Sequence, residues 1–163
     1  MFEIFKRRNV KVASLVAPIS GKVVSLSEVE DPVFSQKMAG EGVAIKPIGD
    51  TIVSPVDGKL TLVFETKHAF VVTTDEGIEI LVHIGIDTVS LNGEGFEKIV
   101  GEGQRVQAGT PIIKINRSFI EGRSFSLITS VLITNPHITE SIDRFENIEC
   151  TAGQTTIIKY KNK

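Results

Sequence analysis

Several features that define common protein classes are almost missing from this 163-residue sequence. It contains one cysteine, one tyrosine and no tryptophan. The single cysteine, Cys150, cannot form an internal disulfide, which excludes a disulfide-stabilised secreted scaffold. No apolar run approaches the ~20 residues that a membrane-spanning helix needs. No apolar stretch of the signal-peptide kind follows the charged first residues, so we expect a cytoplasmic protein.

The sequence also has little net charge. Eighteen basic and twenty acidic residues give a formal charge of −2, so no basic field favours nucleic acid as a partner. Hydrophobic residues make up 41% of the chain, as in globular proteins, and the length suits one domain with its own core. We expect that domain to be monomeric.

The domain is predicted to cover residues 12–163 and to follow a short tail. Residues 1–11 mix Phe and Ile with Lys and Arg. Eleven residues of this kind give little affinity for a surface, so we expect a flexible tail. Its contact with an anionic membrane would be weak and peripheral at most.

Short runs rich in Val and Ile fill most of the chain, and Gly and Pro separate them. This pattern predicts an all-β fold with a few short helical insertions. Residues 116–123 form one candidate insertion. A second short helix is predicted to begin at Asn135-Pro136, because Ile138, Ile142 and Phe145 then share one face.

Two pairs of segments echo each other. APISGK at residues 17–22 returns as SPVDGK at 54–59, and AGTPIIK at 108–114 returns as AGQTTIIK at 152–159, one residue longer. The echoes favour a duplicated strand–turn–strand unit within a β-sandwich or barrel. Pro/Gly turns before strands resemble each other in any case, so the repeats alone leave the duplication open.

Two of the three histidines fall within one predicted hairpin. Residues 64–74 and 78–84 are rich in Val, Ile, Phe and Thr, and an Asp/Gly-containing turn separates them. If that turn is tight, His68 lies directly opposite His83, or one position away if a glycine bulge intervenes. Cβ atoms of opposed residues are roughly 5 Å apart. The sequence therefore predicts two adjacent imidazoles.

Side chains alternate between the two faces of a strand, which predicts the surroundings of these histidines. Ile78, Ile80 and Val82 are assigned to the core face. The residues assigned to the histidine face are Phe64, Thr66, His68, Phe70, Leu81 and His83. This face therefore combines two imidazoles and a hydroxyl group with apolar side chains.

The chemistry that best fits such a face is nucleophilic catalysis by histidine. A neutral imidazole attacks through one ring nitrogen when an acceptor holds the proton on the other. The second imidazole and the Thr66 hydroxyl could donate hydrogen bonds to an incoming phosphoryl group. Gly85 follows His83 and could bring a backbone carbonyl to its ring. This favours His83 over His68 as the nucleophile, although the residues alone leave the reverse assignment open.

Other chemistry has less support. His68 and His83 could ligate zinc with Asp87 as a third ligand, or with a carboxylate supplied by a partner at an interface. The sequence has neither the Cys pair nor the H-x-H that common zinc sites use, and no G-x-S-x-G motif. His137 has no partner in sequence and is interpreted as a surface residue. No cofactor is required.

At the histidines the sequence resembles a known family, the glucose-type IIA component of the bacterial sugar phosphotransferase system. The resemblance covers nearly everything after about Val12. The matching segments are LVHIGIDTV at 81–89 with GEGF at 93–96, TKHAF at 66–70, AP at 17–18, DPVF at 31–34, GVAI at 42–45, SPVDG at 54–58 and EGQ at 102–104.

This resemblance implies a phosphotransferase component that carries a phosphoryl group on histidine. It implies that the histidine-containing phosphocarrier protein phosphorylates His83, and that the group then passes to a cysteine on the IIB domain of a sugar permease. It assigns His68 to stabilising the phosphoryl group and Thr66 to supporting the histidines. It also implies a β-sandwich or barrel with a duplicated hybrid motif. Some family members also regulate permeases or a cyclase, and the residues leave that role open.

The resemblance also implies a docking surface around the histidines. Asp31 and Asp87 would meet a basic surface of the phosphocarrier. The apolar rim would consist of Val33, Phe34, Phe64, Phe70 and Leu81.

Two rival functions would use other features. The segment EGQRVQAG at residues 102–109 resembles half of a lipoyl or biotinyl carrier domain, but the sequence has no lysine in a Met-Lys-Met or Asp-Lys-Ala context. A zinc peptidase of related topology would need an H-x-H pair and bound zinc.

Overall fold

A computed structural model describes residues 12–163. The predicted tail at residues 1–11 lies outside the described residues. The described part is mostly β-structure, as predicted, with helices of at most six residues. Its strands are β1 Val12–Val16, β2 Gly21–Ser25, β3 Glu41–Pro47, β4 Thr51–Val53, β5 Gly58–Val63, β6 Ala69–Thr73, β7 Glu79–Ile84, β8 Phe96–Lys98, β9 Arg105–Val106, β10 Pro111–Ile115, β11 Thr129–Ile133, β12 Thr139–Arg144, β13 Ile148–Cys150 and β14 Thr156–Asn162.

Helical segments are short and lie between strands. Helix α1 covers Pro32–Ser35 and α2 covers Arg117–Gly122, and three 3₁₀ turns cover Leu26–Glu28, Thr88–Leu91 and Pro136–Ile138. Within residues 12–163 no helix is long and apolar enough to cross a membrane.

The strands form one large and two small antiparallel sheets. The eight-stranded sheet has the order β13-β2-β3-β11-β7-β6-β5-β9, and the three-stranded sheets have the orders β1-β14-β12 and β4-β10-β8. A single large apolar cluster unites residues from all three sheets, such as Val82 from β7, Ile113 from β10 and Ile158 from β14. The small sheets therefore pack against one face of the large sheet and leave its other face outside this core.

The sequence echoes mark a real duplication. Val16 donates its N–H to Pro55 O at 2.9 Å, and the echoed Val53 donates to Pro18 O at 2.8 Å. The second pair of echoes repeats this exchange, since Gly109 N–H bonds Ser54 O and Gly153 N–H bonds Ala17 O, both at 2.8 Å. Equivalent turns therefore hold each other through equivalent hydrogen bonds, which confirms the predicted duplicated unit.

A second apolar cluster lies on the outer face of the eight-stranded sheet. The segment from Leu26 to Ala39, which includes α1, covers part of this face. Asp31 caps α1 by accepting the Val33 N–H at 3.0 Å, and Pro32 is its first residue. The buried members of the cluster are Val24, Leu26, Val29, Phe34, Ala44, Ile128 and Leu132. The site histidines lie beside this cluster.

Two predicted elements are wrong. The run at residues 64–74 is not one strand, because β5 ends at Val63 and β6 begins at Ala69, with Lys67 in the left-handed conformation at φ 58° between them. The helix predicted from Asn135 to Phe145 is limited to the 3₁₀ turn, after which β12 pairs with β14. In that segment sheet pairing outweighs the helical spacing of the apolar residues.

Candidate functional site

The two histidines come from adjacent parts of the large sheet. His83 lies in β7 and His68 is the last residue of the turn before β6. Ala69 is the register partner of His83, and His68 O accepts the Ile84 N–H at 2.7 Å. The histidines are therefore one position out of register, which was one of the two predicted alternatives. Their ring centroids are 4.9 Å apart with planes at 87°, so the predicted pair of adjacent imidazoles is confirmed.

The break at Lys67 also corrects the predicted faces. Phe70 pairs with Val82 on the core face and is fully buried in the main core. It cannot contribute to a docking surface, so its assignment was wrong. The assignment of Ile78, Ile80 and Val82 to the core is right, since all three are fully buried. His68 reaches the histidine face because the turn residue Lys67 resets the alternation before β6.

The backbone fixes the tautomer of His83. Its Nδ1 is 2.9 Å from the carbonyl oxygen of Gly85. A carbonyl only accepts, so Nδ1 carries the proton and donates it to Gly85 O. The lone pair is then on Nε2, which is the nucleophilic nitrogen of this ring.

Thr66 provides the partner of His68. The Thr66 hydroxyl lies 2.7 Å from His68 Nδ1. Thr66 and His68 are the two ends of a three-residue segment centred on the left-handed Lys67, so this local turn sets their contact. With the hydroxyl as donor, His68 carries its proton on Nε2 and can offer a hydrogen bond to a neighbouring anion.

Burial keeps both imidazoles neutral. Burial, and to a smaller extent the nearby His83, together lower the pKa of His68 to about 4. Burial also lowers the pKa of His83, while the Gly85 carbonyl and the carboxylates of Asp31 and Asp87 act in the opposite direction. Both rings are therefore uncharged near neutral pH, which keeps the Nε2 lone pair of His83 available.

Aromatic side chains pack on both imidazoles. The ring centroids of Phe34 and His83 are 4.7 Å apart, and those of Phe64 and His68 are 5.3 Å apart. Phe34 is only 5% exposed, so it is a packed contact of His83 and not the exposed lip that the docking prediction required. Val33 at 45% and Phe64 at 36% exposure do reach the surface, and Leu81 is half-buried.

Three apolar residues next to the site, Leu62, Val71 and Val89, were missed from sequence. Leu62, Val71 and Leu81 are register partners across β5, β6 and β7, so they form one row on the histidine face. Leu62 is 42% exposed and Val89, in the 3₁₀ turn after Gly85, is 51% exposed. Correct placement of the turn before β6 would have put Leu62 and Val71 on this face.

The two predicted acids flank His83. Asp31 caps α1, whose Phe34 touches the His83 ring, and Asp87 lies two residues after Gly85 with φ 59°. Both carboxylates are near enough to oppose the lowering of the His83 pKa by burial, and Asp87 is exposed.

The site residues do not form a metal cluster by themselves. Among residues 12–163 no group of three or more His, Cys, Asp and Glu side chains is placed to hold a metal ion. Asp87 is thus not the third zinc ligand that the sequence allowed. Zinc shared with a partner's carboxylate stays a prediction.

Fold and site together define an all-β protein with a neutral nucleophilic histidine beside a second imidazole. This arrangement suits a protein that carries a transferable group on histidine. Residues 13–138 match the family described as phosphoenolpyruvate-dependent sugar phosphotransferase system, EIIA 1. The chain belongs to this family. The family and its relatives do not favour the lipoyl carrier or the zinc peptidase.

Individual relatives match over nearly their whole length. The glucose-specific EIIA component of Oceanobacillus iheyensis is 44% identical over 162 residues, covering 99% of this chain and 98% of the relative. That of Bacillus cereus is 43% identical over 150 residues, covering 92% of this chain and 91% of the relative. The solved structure of glucose permease IIA from Mycoplasma capricolum superposes with a TM-score of 0.85 at 38% identity, covering 91% of this chain and 96% of that one.

Family membership establishes the class of activity. The protein is a phosphotransferase component of the sugar phosphotransferase system, and it carries the phosphoryl group as phosphohistidine on its way to the sugar permease. It acts together with other components of that system.

Proposed function

We propose that His83 is the phosphoryl-accepting residue and that the group binds its Nε2. The observation that carries this proposal is the hydrogen bond from His83 Nδ1 to Gly85 O at 2.9 Å, which leaves Nε2 unprotonated. In the transfer the Nε2 lone pair forms the new P–N bond while the P–N bond of the donor's phosphohistidine breaks. The electron pair of the broken bond returns to the donor imidazole, and His83 keeps its proton on Nδ1.

His68 and Thr66 stabilise the transferred group in this proposal. The His68 ring centroid is 4.9 Å from that of His83, which puts its Nε2–H within reach of a phosphoryl oxygen on His83. The Thr66 hydroxyl bonds His68 Nδ1 at 2.7 Å and holds that proton on Nε2. A preorganised donor in a dry site stabilises charge that develops on the phosphoryl oxygens.

The immediate partners follow from the role of a carrier. The donor is the histidine-containing phosphocarrier protein, and the acceptor is the cysteine of a permease IIB domain. The relatives are named as glucose-specific components and a glucose permease IIA, which supports a glucose-type permease. In this proposal the protein acts in the cytoplasm and as a monomer.

Docking uses the surface around the histidines. The exposed Val33 and Phe64 and the half-buried Leu81 supply apolar contacts, and the missed Leu62, Val71 and Val89 extend them. An apolar patch on the surface of a monomer commonly marks an interaction site. Asp31 and Asp87 supply negative charge for a basic partner.

The test is phosphoryl transfer from phosphoenolpyruvate through the two general phosphotransferase proteins to this chain. His83→Gln removes the accepting nitrogen, so we expect no label on this variant. His68→Gln leaves the nucleophile intact, and we expect it to take label but to pass it poorly to a IIB domain. Label uptake is measured by autoradiography of the separated proteins.

His137→Gln is the matched control, because His137 is exposed in a 3₁₀ turn and is not part of the site. It should take and pass label like the wild type. Retention of label on His83→Gln, or failure of His68→Gln to take label, would require the two histidine roles to be exchanged.

A further inference from the structure

The Gly85 carbonyl that sets the His83 tautomer belongs to a tightly held turn. Gly85 has φ 84°, a conformation that favours glycine. The N–H on the opposite side of the same peptide plane, that of Ile86, bonds Ser126 O at 3.1 Å. Because a peptide unit is planar and trans, this bond aims the Gly85 C=O toward His83. The Gly85 N–H bonds Ile128 O at 3.0 Å and holds the preceding peptide.

Thr88 closes this turn from inside. Its side chain is fully buried, and its hydroxyl donates to Ile84 O, four residues earlier, at 2.5 Å. Its methyl carbon occupies the space beside Gly85, since a Cβ built on Gly85 would lie 2.6 Å from it. Thr88 thus contacts the turn at two points, through the carbonyl before Gly85 and through Gly85 itself.

We propose that Thr88 is a positioning residue for the nucleophile: its hydroxyl and methyl groups hold the Gly85 peptide so that the carbonyl receives the proton of His83 Nδ1. The inference rests on His83 being the phosphoryl acceptor. Without the hydroxyl, Ile84 O loses a buried partner and the turn can relax away from the ring. Part of the His83 population then shifts from the Nδ1–H tautomer to the Nε2–H tautomer, in which a proton occupies the reactive nitrogen.

The experiment compares Thr88→Val with the wild-type full chain. Valine keeps the shape and removes only the hydroxyl. The ¹⁵N chemical shifts of the His83 ring report the tautomer directly, without any phosphotransferase partner. We expect a measurable Nε2–H population in this variant and phosphoryl uptake about two- to tenfold slower, as the loss of one buried hydrogen bond gives.

Thr139→Val is the matched control. Thr139 is 7% exposed, and its hydroxyl donates to Pro136 O at 2.6 Å. It lies in β12, which belongs to a three-stranded sheet and not to the sheet of His83. It should lose similar stability and keep the wild-type His83 shifts. Thr88→Ser, which retains the hydroxyl but lacks the methyl, should stay closer to the wild-type tautomer than Thr88→Val does.

The proposal is overturned if Thr88→Val shows wild-type His83 shifts, or if Thr139→Val changes them equally. If the valine variant does not fold, Thr88→Ser and Thr88→Ala replace it, because both lack the methyl and only serine keeps the hydroxyl. Identical ring shifts in these two variants would also overturn it. A changed tautomer in a chain that never takes label on His83 would instead contradict the proposed function.

Discussion

At the scale of single residues, burial decides the charge state of the site. His68 is only 3% exposed and packs against a hydroxyl group and aromatic rings, so burial opposes the addition of a second proton to its ring. A phosphoryl group on His83 would bring the opposite charge to within reach of His68. The burial that keeps both imidazoles neutral also lowers the local dielectric. A phosphoryl group on His83 therefore attracts the hydrogen-bond donors of His68 more strongly than it would in water.

The lowered pKa of His68 predicts a loss of stability in mild acid. The folded pKa of about 4 lies below the ordinary 6.5, so the unfolded chain binds more protons between these values. The contribution of neutral His68 to the free energy of unfolding is complete above pH 6.5 and is lost as pH falls toward about 4. It amounts to at most about 3 kcal/mol.

Urea unfolding at a series of pH values between 7.5 and 4 measures this effect. The free energy of unfolding of His68→Gln should fall less steeply than that of the wild type in this window, while His137→Gln should follow the wild type. Parallel curves for His68→Gln and the wild type would show that His68 does not resist protonation in the folded state.

At the scale of elements, the turn between β5 and β6 shows what the sequence could predict. Period-2 spacing and the Asp/Gly turn after β6 were sufficient to pair His68 with His83. The break at residues 64–68 was not predictable in this way, because it contains no Gly or Pro and Lys67 adopts the left-handed conformation without either. Neither was the burial of Phe34, which depends on the segment from Leu26 to Ala39 folding over a distant part of the sheet. Local patterns thus predicted the reacting pair and missed contacts set by tertiary packing.

Gly42 makes the contact between β3 and β11 possible. It is the register partner of Leu132, and a Cβ at this position would lie 1.9 Å from Val131 O. The obstacle is backbone, so Gly42→Ala must separate two central strands beneath the outer apolar cluster. We expect the free energy of unfolding to fall by about 1–3 kcal/mol or more.

Gly101→Ala is the matched control, because a Cβ there meets nothing within 4 Å. Chemical denaturation of both variants tests the prediction. A Gly42→Ala variant as stable as Gly101→Ala would mean that β3 and β11 can separate without cost.

At the scale of the whole molecule, the site sits where one half of the large sheet is left uncovered. The segment around α1 covers β2, β3 and β11, and the row formed by Leu62, Val71 and Leu81 continues the apolar surface over β5, β6 and β7. A partner can therefore approach His83 across a mostly apolar surface with carboxylates beside it. Such a surface suits weak complexes that exchange quickly.

Asp31 and Asp87 are predicted to accelerate encounter with a basic phosphocarrier. Replacing both with Asn should slow phosphoryl uptake about two- to tenfold at low salt, and the difference should shrink as salt screens the charges. Asn caps helices as well as Asp does, so α1 should remain intact. Initial rates of label uptake against salt concentration measure the effect.

The matched control removes the same charge elsewhere. Glu140→Gln with Asp143→Asn changes two exposed carboxylates of β12, outside the sheet that carries the histidines. If the two double variants show equal rates at low salt, overall charge and not the pair beside His83 governs encounter.

The pairing of β1 with β14 determines how the described domain responds to mechanical force. Val12 lies opposite Lys161, so both ends of the described chain leave from the same end of one antiparallel ladder. Tension applied between them acts along the interstrand hydrogen bonds, because these bonds run perpendicular to the strands. The bonds then open one after another instead of sharing the load. The ladder therefore separates one residue pair at a time, from residue 12 toward residue 16. The sheet that carries His83 bears no load at the start of this process.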